Sequence, residues 1–271
     1  MKLFISADIE GISGVTNDAQ ASQTGPQFAE ARRWMTGDVN AAIEGAIEAG
    51  VTQVLVKDAH GWALNLLPDG IDERATLLQG WGVEDGMMEG LTEAYGLAFL
   101  VGYHPRAGTP DGVLSHTWSG ALRRLVVNGI EMGEMGLSAL FAGALGVPIA
   151  LVTTCEAGSR QARELLPWVE TASVKRGITR FAAELIPIKR AQDVIRDAAR
   201  RAVERRGEME PLQLQAPFVV RTTWSSPGMA QTCAAHEGLA LVDEYTVEFS
   251  ETDQLAALRR LRQVFRIAQT N

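Results

Sequence analysis

The hydrophobic residues in the first half of the chain fall into short runs separated by polar segments. Such runs are typical of strands that are buried on both faces of a parallel sheet. They cover residues 3–7, 53–56, 97–101 and 148–152. Between the first two runs, TGDVNAAIEGAIEAG has apolar residues at helical spacing, with Thr36 as the expected N-cap and Gly50 as the expected stop. Strand, helix and strand in this order predict a βαβ crossover.

A β-hairpin is predicted near the middle of the chain. Asn128 and Gly129 lie between two β-type runs, and a two-residue type I′ turn favours this pair because both positions need a positive φ. The segment GEMGLSALFAGALG then predicts a helix that ends near Gly146.

The second half of the chain has a different pattern. Helical patterns at 160–166, 191–205 and 252–268 alternate with β-type runs such as PFVVRTTW and YTVEFS. We therefore expect an α/β fold with a mainly parallel sheet, flanking helices and a hairpin. The expected division is an α/β metal-binding domain in residues 1–152 and a smaller mixed α/β subdomain in residues 153–271.

Composition and charge disfavour several classes of protein. Of the 271 residues, 46% are hydrophobic and 21% are charged, as in soluble globular proteins. The formal net charge of -8 disfavours a nucleic-acid partner. There is no apolar run of about 18 residues and no signal-peptide pattern, so we expect a cytoplasmic protein without a membrane span. Two cysteines do not make a disulfide framework, and we expect Cys155 and Cys233 to be buried thiols.

Metal-ligating side chains follow the predicted strands and the hairpin. In open α/β sheets, ligands bind beyond the carboxyl ends of the strands. The first run leads to SADIEGISG, the second to KDAHG, the third to GYHPRAG, and the hairpin leads to a helix that begins at GEMGL. The candidates in these motifs are Asp8, Glu10, Asp58, His60, His104 and Glu134. We expect most of them to meet at one edge of one sheet.

Imidazole and carboxylate together are the ligands of zinc and related divalent ions. Five or six ligands exceed the needs of one tetrahedral ion, whereas two ions bridged by a carboxylate would use them all. Asp8 is the expected bridge because it lies at a strand tip, with glycines beyond it that leave room for the backbone to approach the ions. Taken singly, Asp8 and Glu10 also fit a capped turn, and His60 and His104 also fit structural histidines. Their joint occurrence after apolar runs favours the metal site.

Other residues near these motifs have open interpretations. His116, in LSHT, is a candidate general base, general acid or donor to a tetrahedral intermediate, or else a surface histidine. Arg106 is a candidate to hold a substrate carboxylate or to pair with a nearby acid. The tryptophans of this region, Trp62, Trp81 and Trp118, are expected to be packing residues rather than substrate-binding residues, although Trp118 is close enough to His116 to line a pocket.

These motifs together, with Asn65 downstream of KDAHG and with SVKRGITR later in the chain, resemble the zinc-dependent D-aminopeptidase family of bacilli. The resemblance covers nearly the full chain and weakens in the last third. It implies two zinc ions per subunit, a catalytic role for His116 and a cytoplasmic homodecamer. It also implies cleavage of an N-terminal D-residue from short peptides. The implied zinc ligands are Asp8, Glu10, His60, His104 and Glu134, and the candidate substrate-binding residues are Arg106 and Asn65.

The leading hypothesis is therefore amide hydrolysis by a hydroxide held between two zinc ions. A metal-dependent phosphoester hydrolase is an alternative, although histidine ligands argue against magnesium, which prefers oxygen. A metal-stabilised, ring-forming peptide-binding protein without turnover is the alternative from another class.

Overall fold

The computed structural model describes residues 1–82 and 85–270, which form two sheets with helices around them. The strands are β1 (Lys2–Ala7), β2 (Gln53–Asp58), β3 (Ala75–Leu78), β4 (Leu97–Val101), β5 (Leu122–Val127), β6 (Ile130–Glu131), β7 (Ile149–Cys155), β8 (Glu170–Thr179), β9 (Ala182–Leu185), β10 (Phe218–Trp224), β11 (Ala240–Leu241) and β12 (Thr246–Glu251). The α-helices are α1 (Asp18–Ala21), α2 (Phe28–Glu48), α3 (Glu134–Ala144), α4 (Glu156–Leu165), α5 (Ile188–Glu204), α6 (Pro227–Ala234) and α7 (Gln254–Ala268).

The larger sheet has seven strands in the order β3-β2-β1-β4-β7-β8-β9. All neighbouring strands are parallel except β8 and β9, which form an antiparallel pair. Strands β1, β4 and β7 are almost completely buried, as expected for a sheet covered on both faces. The chain leaves β1 toward β2 and β3 and then returns to β4 on the other side of β1. The gap between β1 and β4 is therefore the topological switch point, where ligands bind in such sheets.

Helices cover both faces of this sheet. Helices α2 and α5 pack against each other on one side, and α3 lies in the apolar core of the other side. Helix α2 begins well before Thr36, so the predicted N-cap is wrong. Thr36 is an interior residue whose hydroxyl donates to the Arg32 carbonyl at 2.8 Å. The apolar face also extends upstream through the buried Ala31 and Met35.

The smaller sheet is antiparallel, with the order β11-β12-β10-β5-β6. The predicted hairpin joins β5 to β6, and Asn128 and Gly129 have φ values of 49° and 81°. Helices α6 and α7 pack on this sheet, and α7 also contacts α3. The predicted mixed α/β class, with a mainly parallel sheet, flanking helices and a hairpin, is confirmed.

The division at residues 152 and 153 stays a prediction. The larger sheet contains β8 and β9 from the second part of the chain, and the smaller sheet contains β5 and β6 from the first part. The β-type runs PFVVRTTW and YTVEFS correspond to β10 and β12. Cys155 and Cys233 are buried free thiols, as expected. Across the described residues, no helix combines the length and apolar character needed to cross a bilayer.

Candidate metal centre

The segment after β1 is held in place by close backbone packing. Asp8 and Glu10 lie in this segment, and both side chains are buried. Gly11 donates its backbone N–H to the Gly102 carbonyl at 2.7 Å. A Cβ on Gly11 would lie 1.8 Å from the Tyr103 carbonyl oxygen, so only glycine fits there. The glycine was expected to make room for an ion, but its contact is with the chain that follows β4.

A buried lysine on β8 fixes the same segment from the other side. Lys175 Nζ donates to the carbonyl oxygens of Glu10, Ile12 and Val15 at 2.6, 2.8 and 2.6 Å. Lys175 is 2% exposed, and its burial lowers the pKa of the ammonium to about 8. This residue was not singled out from the sequence, because it lies far from Glu10 along the chain. One ammonium group therefore determines the course of the loop that carries Glu10.

The loop after β2 places His60 at the sheet edge. Asp58 does not join the cluster, because its carboxylate accepts the backbone N–H groups of Asn65 and Leu66 at 2.6 and 2.8 Å. The Asn65 amide donates to Asp58 Oδ1 at 2.6 Å and to the His60 carbonyl at 2.7 Å. Asn65 is completely buried. Its predicted contact with substrate therefore needs correction: its amide supports the His60 loop and does not face the cavity.

Two further metal-ligand candidates lie at the end of β4 and at the start of α3. His104 follows the end of β4, and Glu134 is the first residue of α3. Glu134 Oε1 accepts the backbone N–H of Trp118 at 2.6 Å. A carboxylate at a helix N-terminus is stabilised by the helix dipole. This location favours the ionised form of Glu134.

The side chains predicted as metal ligands lie together. His60 Nδ1 is 3.2 Å from Asp8 Oδ1 and 3.1 Å from Glu10 Oε2. His104 Nε2 is 3.5 Å from Asp8 Oδ2 and 3.3 Å from Glu134 Oε1. Asp8 therefore faces one histidine with each of its two carboxylate oxygens.

Three overlapping sets of donor atoms in this cluster have the spacing of a metal site, each with its atoms within 4.8 Å of one another. The sets are Asp8, Glu10 and His60; Asp8, His104 and Glu134; and Glu10, His104 and His116. The first two sets share only Asp8. This arrangement has the form of two adjacent sites joined by one carboxylate.

All three histidines of the cluster have one ring nitrogen bonded to a backbone carbonyl. The pairs are His60 Nε2 with Ala21 O at 2.9 Å, His104 Nδ1 with Pro105 O at 3.0 Å, and His116 Nδ1 with Leu114 O at 2.7 Å. A carbonyl only accepts hydrogen bonds, so each of these nitrogens carries a proton. The neutral imidazole then directs the lone pair of its other nitrogen into the cluster, which is the orientation of a metal ligand.

The cluster contains buried polar atoms that have no hydrogen-bond partner among the described residues. They are Asp8 Oδ2, Glu10 Oε2 and His104 Nε2. Buried polar groups are nearly always hydrogen-bonded, so three such atoms in one cluster call for a ligand. Burial and the neighbouring Glu10 carboxylate raise the pKa of Asp8 to about 7. A bound cation stabilises the charged carboxylate and so offsets the effect that raises the pKa of Asp8.

The histidines have opposite pKa shifts. Burial alone would lower the pKa of His104, but the carboxylates of Glu134, Glu10 and Asp8 together outweigh burial and raise it to about 10. For His116, burial and then the positive charge of His104 lower the pKa. The two rings are stacked with centroids 4.0 Å apart. His116 is therefore neutral at pH 7, and its Nε2 lies 3.8 Å from Glu10 Oε1 and 3.9 Å from Glu134 Oε1.

The cluster opens into a cavity of about 410 Å³, a size typical of small-molecule sites. Its walls include the face of α3 that carries Glu134 and Leu137 and the face of α7 that carries Leu258 and Phe265. The remaining wall includes Trp81 and the segment from Asp85 to Met88. The lining of the cavity therefore combines metal-ligating groups with apolar side chains.

Other candidates from the sequence have different positions. Arg106 lines a separate cavity and pairs with Glu131 at 3.3 Å. The structure therefore favours the ion pair over the binding of a substrate carboxylate by this residue. Trp118 lines the main cavity, as predicted. Trp62 and Trp81 are 69% and 44% exposed, so neither is a buried packing residue, and Trp81 lines the main cavity.

Comparison with known proteins gives the family. The family model described as D-aminopeptidase, of peptidase family M55, matches residues 1–263. The chain belongs to the D-aminopeptidase family. This confirms the resemblance noted in the sequence and makes the protein an enzyme of a peptidase family.

Members of the D-aminopeptidase family match the chain over almost its full length. A D-aminopeptidase from Bacillus subtilis strain 168 is 32% identical over 262 residues, which cover 96% of this chain and 95% of the relative. The structure of DppA, a zinc-dependent D-aminopeptidase from Bacillus subtilis described as a self-compartmentalizing protease, superimposes with a TM-score of 0.97. That match is 30% identical and covers 100% of this chain and 99% of DppA.

Proposed function

We propose that this protein is an aminopeptidase with two zinc ions per subunit that removes an N-terminal D-residue, such as D-alanine, from short peptides. The observation that carries the proposal is the pair of ligand sets that share only Asp8. Two adjacent metal ions joined by one carboxylate are a recurring hydrolytic device. The membership in the D-aminopeptidase family and the zinc dependence of DppA support the choice of metal and of reaction.

The residues present fit such a pair of ions. We assign Asp8, Glu10 and His60 to one ion, and Asp8, His104 and Glu134 to the other. The buried atoms of Asp8, Glu10 and His104 that lack a hydrogen-bond partner are then the atoms that ligation would satisfy. When bound, two such ions polarise the scissile carbonyl and lower the pKa of water. The backbone carbonyls behind the histidines hold the ligands in place, so that little rearrangement accompanies binding.

In this proposal His116 handles the protons of the reaction. Its Nδ1–H is engaged by the Leu114 carbonyl, so Nε2 is the atom that accepts a proton. The lowered pKa keeps this imidazole neutral and ready to accept that proton from the attacking water. The resulting imidazolium would lie beside Glu10 and Glu134, whose carboxylates stabilise it until the proton passes to the leaving amine.

Metal analysis combined with an amide assay tests the proposal. We expect two zinc ions per chain and turnover of a D-alanyl amide in preference to the L-alanyl amide. Asp8→Ala should lose both zinc and activity, whereas His116→Ala should keep two zinc ions and lose turnover. His236→Ala is a matched control, because this exposed histidine lies outside the cluster.

Zinc-loaded wild type that is inert toward both alanyl amides would defeat the aminopeptidase proposal. Activity on a chromogenic phosphoester instead would favour the alternative hydrolase. Loss of one zinc ion in His116→Ala would make His116 a ligand, which the third donor set also allows.

We also propose that the chain assembles into a cytoplasmic homodecamer. The description of DppA as self-compartmentalizing supports a closed assembly, because a ring encloses its active sites. Light scattering after gel filtration should then give a mass ten times that of the 29.3 kDa chain. A monomer or dimer at micromolar concentration would contradict this.

A further inference from the structure

The lining of the cavity carries both negative and positive charges. The metal-ligating cluster supplies the carboxylates of Asp8, Glu10 and Glu134, and Asp85 adds another, while α7 contributes Arg262 and Arg266 to the lining. The chain has a net charge of -8, so two guanidinium groups in the same cavity as the acidic cluster are a distinct local feature. The metal chemistry does not account for these arginines.

The helical spacing of α7 explains how both arginines reach the cavity. One face of the helix carries residues spaced three or four positions apart, with one immediate neighbour. They are Leu258, Arg262, Phe265 and Arg266. This face lines the cavity together with residues of α3. On the same helix, Arg259 pairs with Asp85 and Arg260 pairs with Glu251, and both arginines line a different cavity.

The two arginines of this face differ in their surroundings. Arg262 is half-buried, and a Cβ on Gly86 would lie 2.7 Å from its Nη1, so the glycine makes room for the guanidinium. Burial, and then the charge of Arg266, lower the pKa of Arg262, and the carboxylates of Glu89 and Asp85 oppose this.

Arg266 is exposed at the cavity wall. Within residues 1–82 and 85–270, no carboxylate forms an ion pair with it. A guanidinium group presents a planar fork of donors that matches a carboxylate. The face of α7 therefore offers an anion-binding group next to apolar side chains.

We infer that Arg266, with Arg262 beside it, binds the C-terminal carboxylate of the substrate. The inference rests on the proposed aminopeptidase activity and specifies its substrate class as dipeptides and other very short peptides with a free carboxylate. The scissile amide lies at the metal-ligating cluster, and the apolar residues Leu258 and Phe265 contact the side chain of the second residue. A peptide blocked as its C-terminal amide lacks the negative charge that the guanidinium recognises.

Binding of dipeptide isosteres by calorimetry tests this directly. A reduced-amide analogue of D-Ala-D-Phe cannot be hydrolysed, and it can be prepared with a free carboxylate or as the carboxamide. We expect the zinc-loaded wild type to bind the free acid about tenfold more tightly than the carboxamide, as for a hydrogen-bonded charge pair. In Arg266→Gln this ratio should fall to about two, and Arg266→Lys should recover part of it.

Arg260→Gln is the matched control. Arg260 lies on the same helix, pairs with Glu251 at 2.6 Å and lines a different cavity, so its loss should leave the ratio at the wild-type value. Equal affinity of the wild type for acid and carboxamide would overturn the inference. Retention of the full ratio in Arg266→Gln would overturn the assignment to this residue.

Kinetics separate this inference from the proposed function. For the hydrolysable D-Ala-D-Phe and its amide, the difference between wild type and Arg266→Gln should lie mainly in KM, because the guanidinium is not at the scissile bond. Failure of the zinc-loaded protein to cleave either compound would refute the proposed activity. The calorimetric ratio would still decide whether Arg266 recognises a carboxylate.

Discussion

Replacing Lys175 with methionine tests how the loop that carries Glu10 is held. Methionine has nearly the same length and shape, so the substitution removes the ammonium without leaving a large cavity. The carbonyls of Glu10, Ile12 and Val15 would lose their shared donor while remaining next to the buried side chain. We expect a lower free energy of unfolding and a lower affinity for zinc.

The magnitude follows from two opposing effects. Leaving a buried carbonyl without a donor costs about 2 kcal/mol, so three of them cost about 6 kcal/mol. Against this, methionine avoids the burial of a charge. The pKa of Lys175 falls from 10.5 to about 8, which corresponds to a penalty of about 3 kcal/mol for the buried ammonium. The free energy of unfolding of Lys175→Met should therefore be about 3 kcal/mol lower than that of the wild type.

Urea unfolding of the metal-free protein at pH 7 measures this change, and competition with a chelator measures zinc affinity. Lys57→Met is a suitable control. Lys57 is also buried but donates to a single carbonyl, that of Gly80 at 2.5 Å. Its loss should cost about 1 to 2 kcal/mol and should leave zinc affinity closer to the wild-type value. A change below about 1 kcal/mol in Lys175→Met, with unaltered zinc affinity, would refute the idea that this ammonium holds the loop.

Three further predictions concern the same centre. Gly11→Ala should lower the free energy of unfolding in urea by about 3 kcal/mol or more, because its Cβ would lie 1.8 Å from the Tyr103 carbonyl oxygen. An unfolding free energy equal to that of the wild type would show that the segments after β1 and β4 can move apart. Asn65→Ala should reduce zinc affinity about tenfold in a chelator competition, because the His60 carbonyl loses the hydrogen bond from the Asn65 amide. Unchanged zinc affinity would contradict this prediction. Zinc binding at pH 7 should release protons from His60 and His104, because their pKa values are raised in the metal-free cluster. Calorimetry in two buffers of different ionisation enthalpy measures the number of protons released. Zinc binding without proton release would contradict the raised pKa values.

The grouping of the ligands could be predicted from the sequence because it depends on a simple property of parallel sheets. Asp8, His60 and His104 each follow an apolar run, and the carboxyl ends of parallel strands meet at one edge. The position of Glu134 followed from the Asn128-Gly129 turn, which fixes where the next helix begins. These inferences need only local pattern and chain order.

What could not be predicted depends on contacts between distant segments. Nothing in the sequence around Lys175 shows that its ammonium reaches the loop of Glu10, because the pairing of β8 with β7 decides this. The role of Asn65 was misjudged for a similar reason, since its amide is used within its own loop. Arg266 belongs to a helix of the smaller sheet, and only the packing of α7 against α3 brings it to the cavity.

The anchoring of the histidines by main-chain oxygens has a consequence for how the centre tolerates evolutionary change. Any amino acid at positions 21, 105 or 114 supplies the same carbonyl, provided that the chain follows the same path. Mutational drift at these positions therefore leaves imidazole orientation intact, whereas a small shift of the loops would alter it. Selection on this centre acts on the trajectory of the polypeptide more than on the chemical identity of the supporting residues, which accords with a nearly identical fold at only 30% sequence identity.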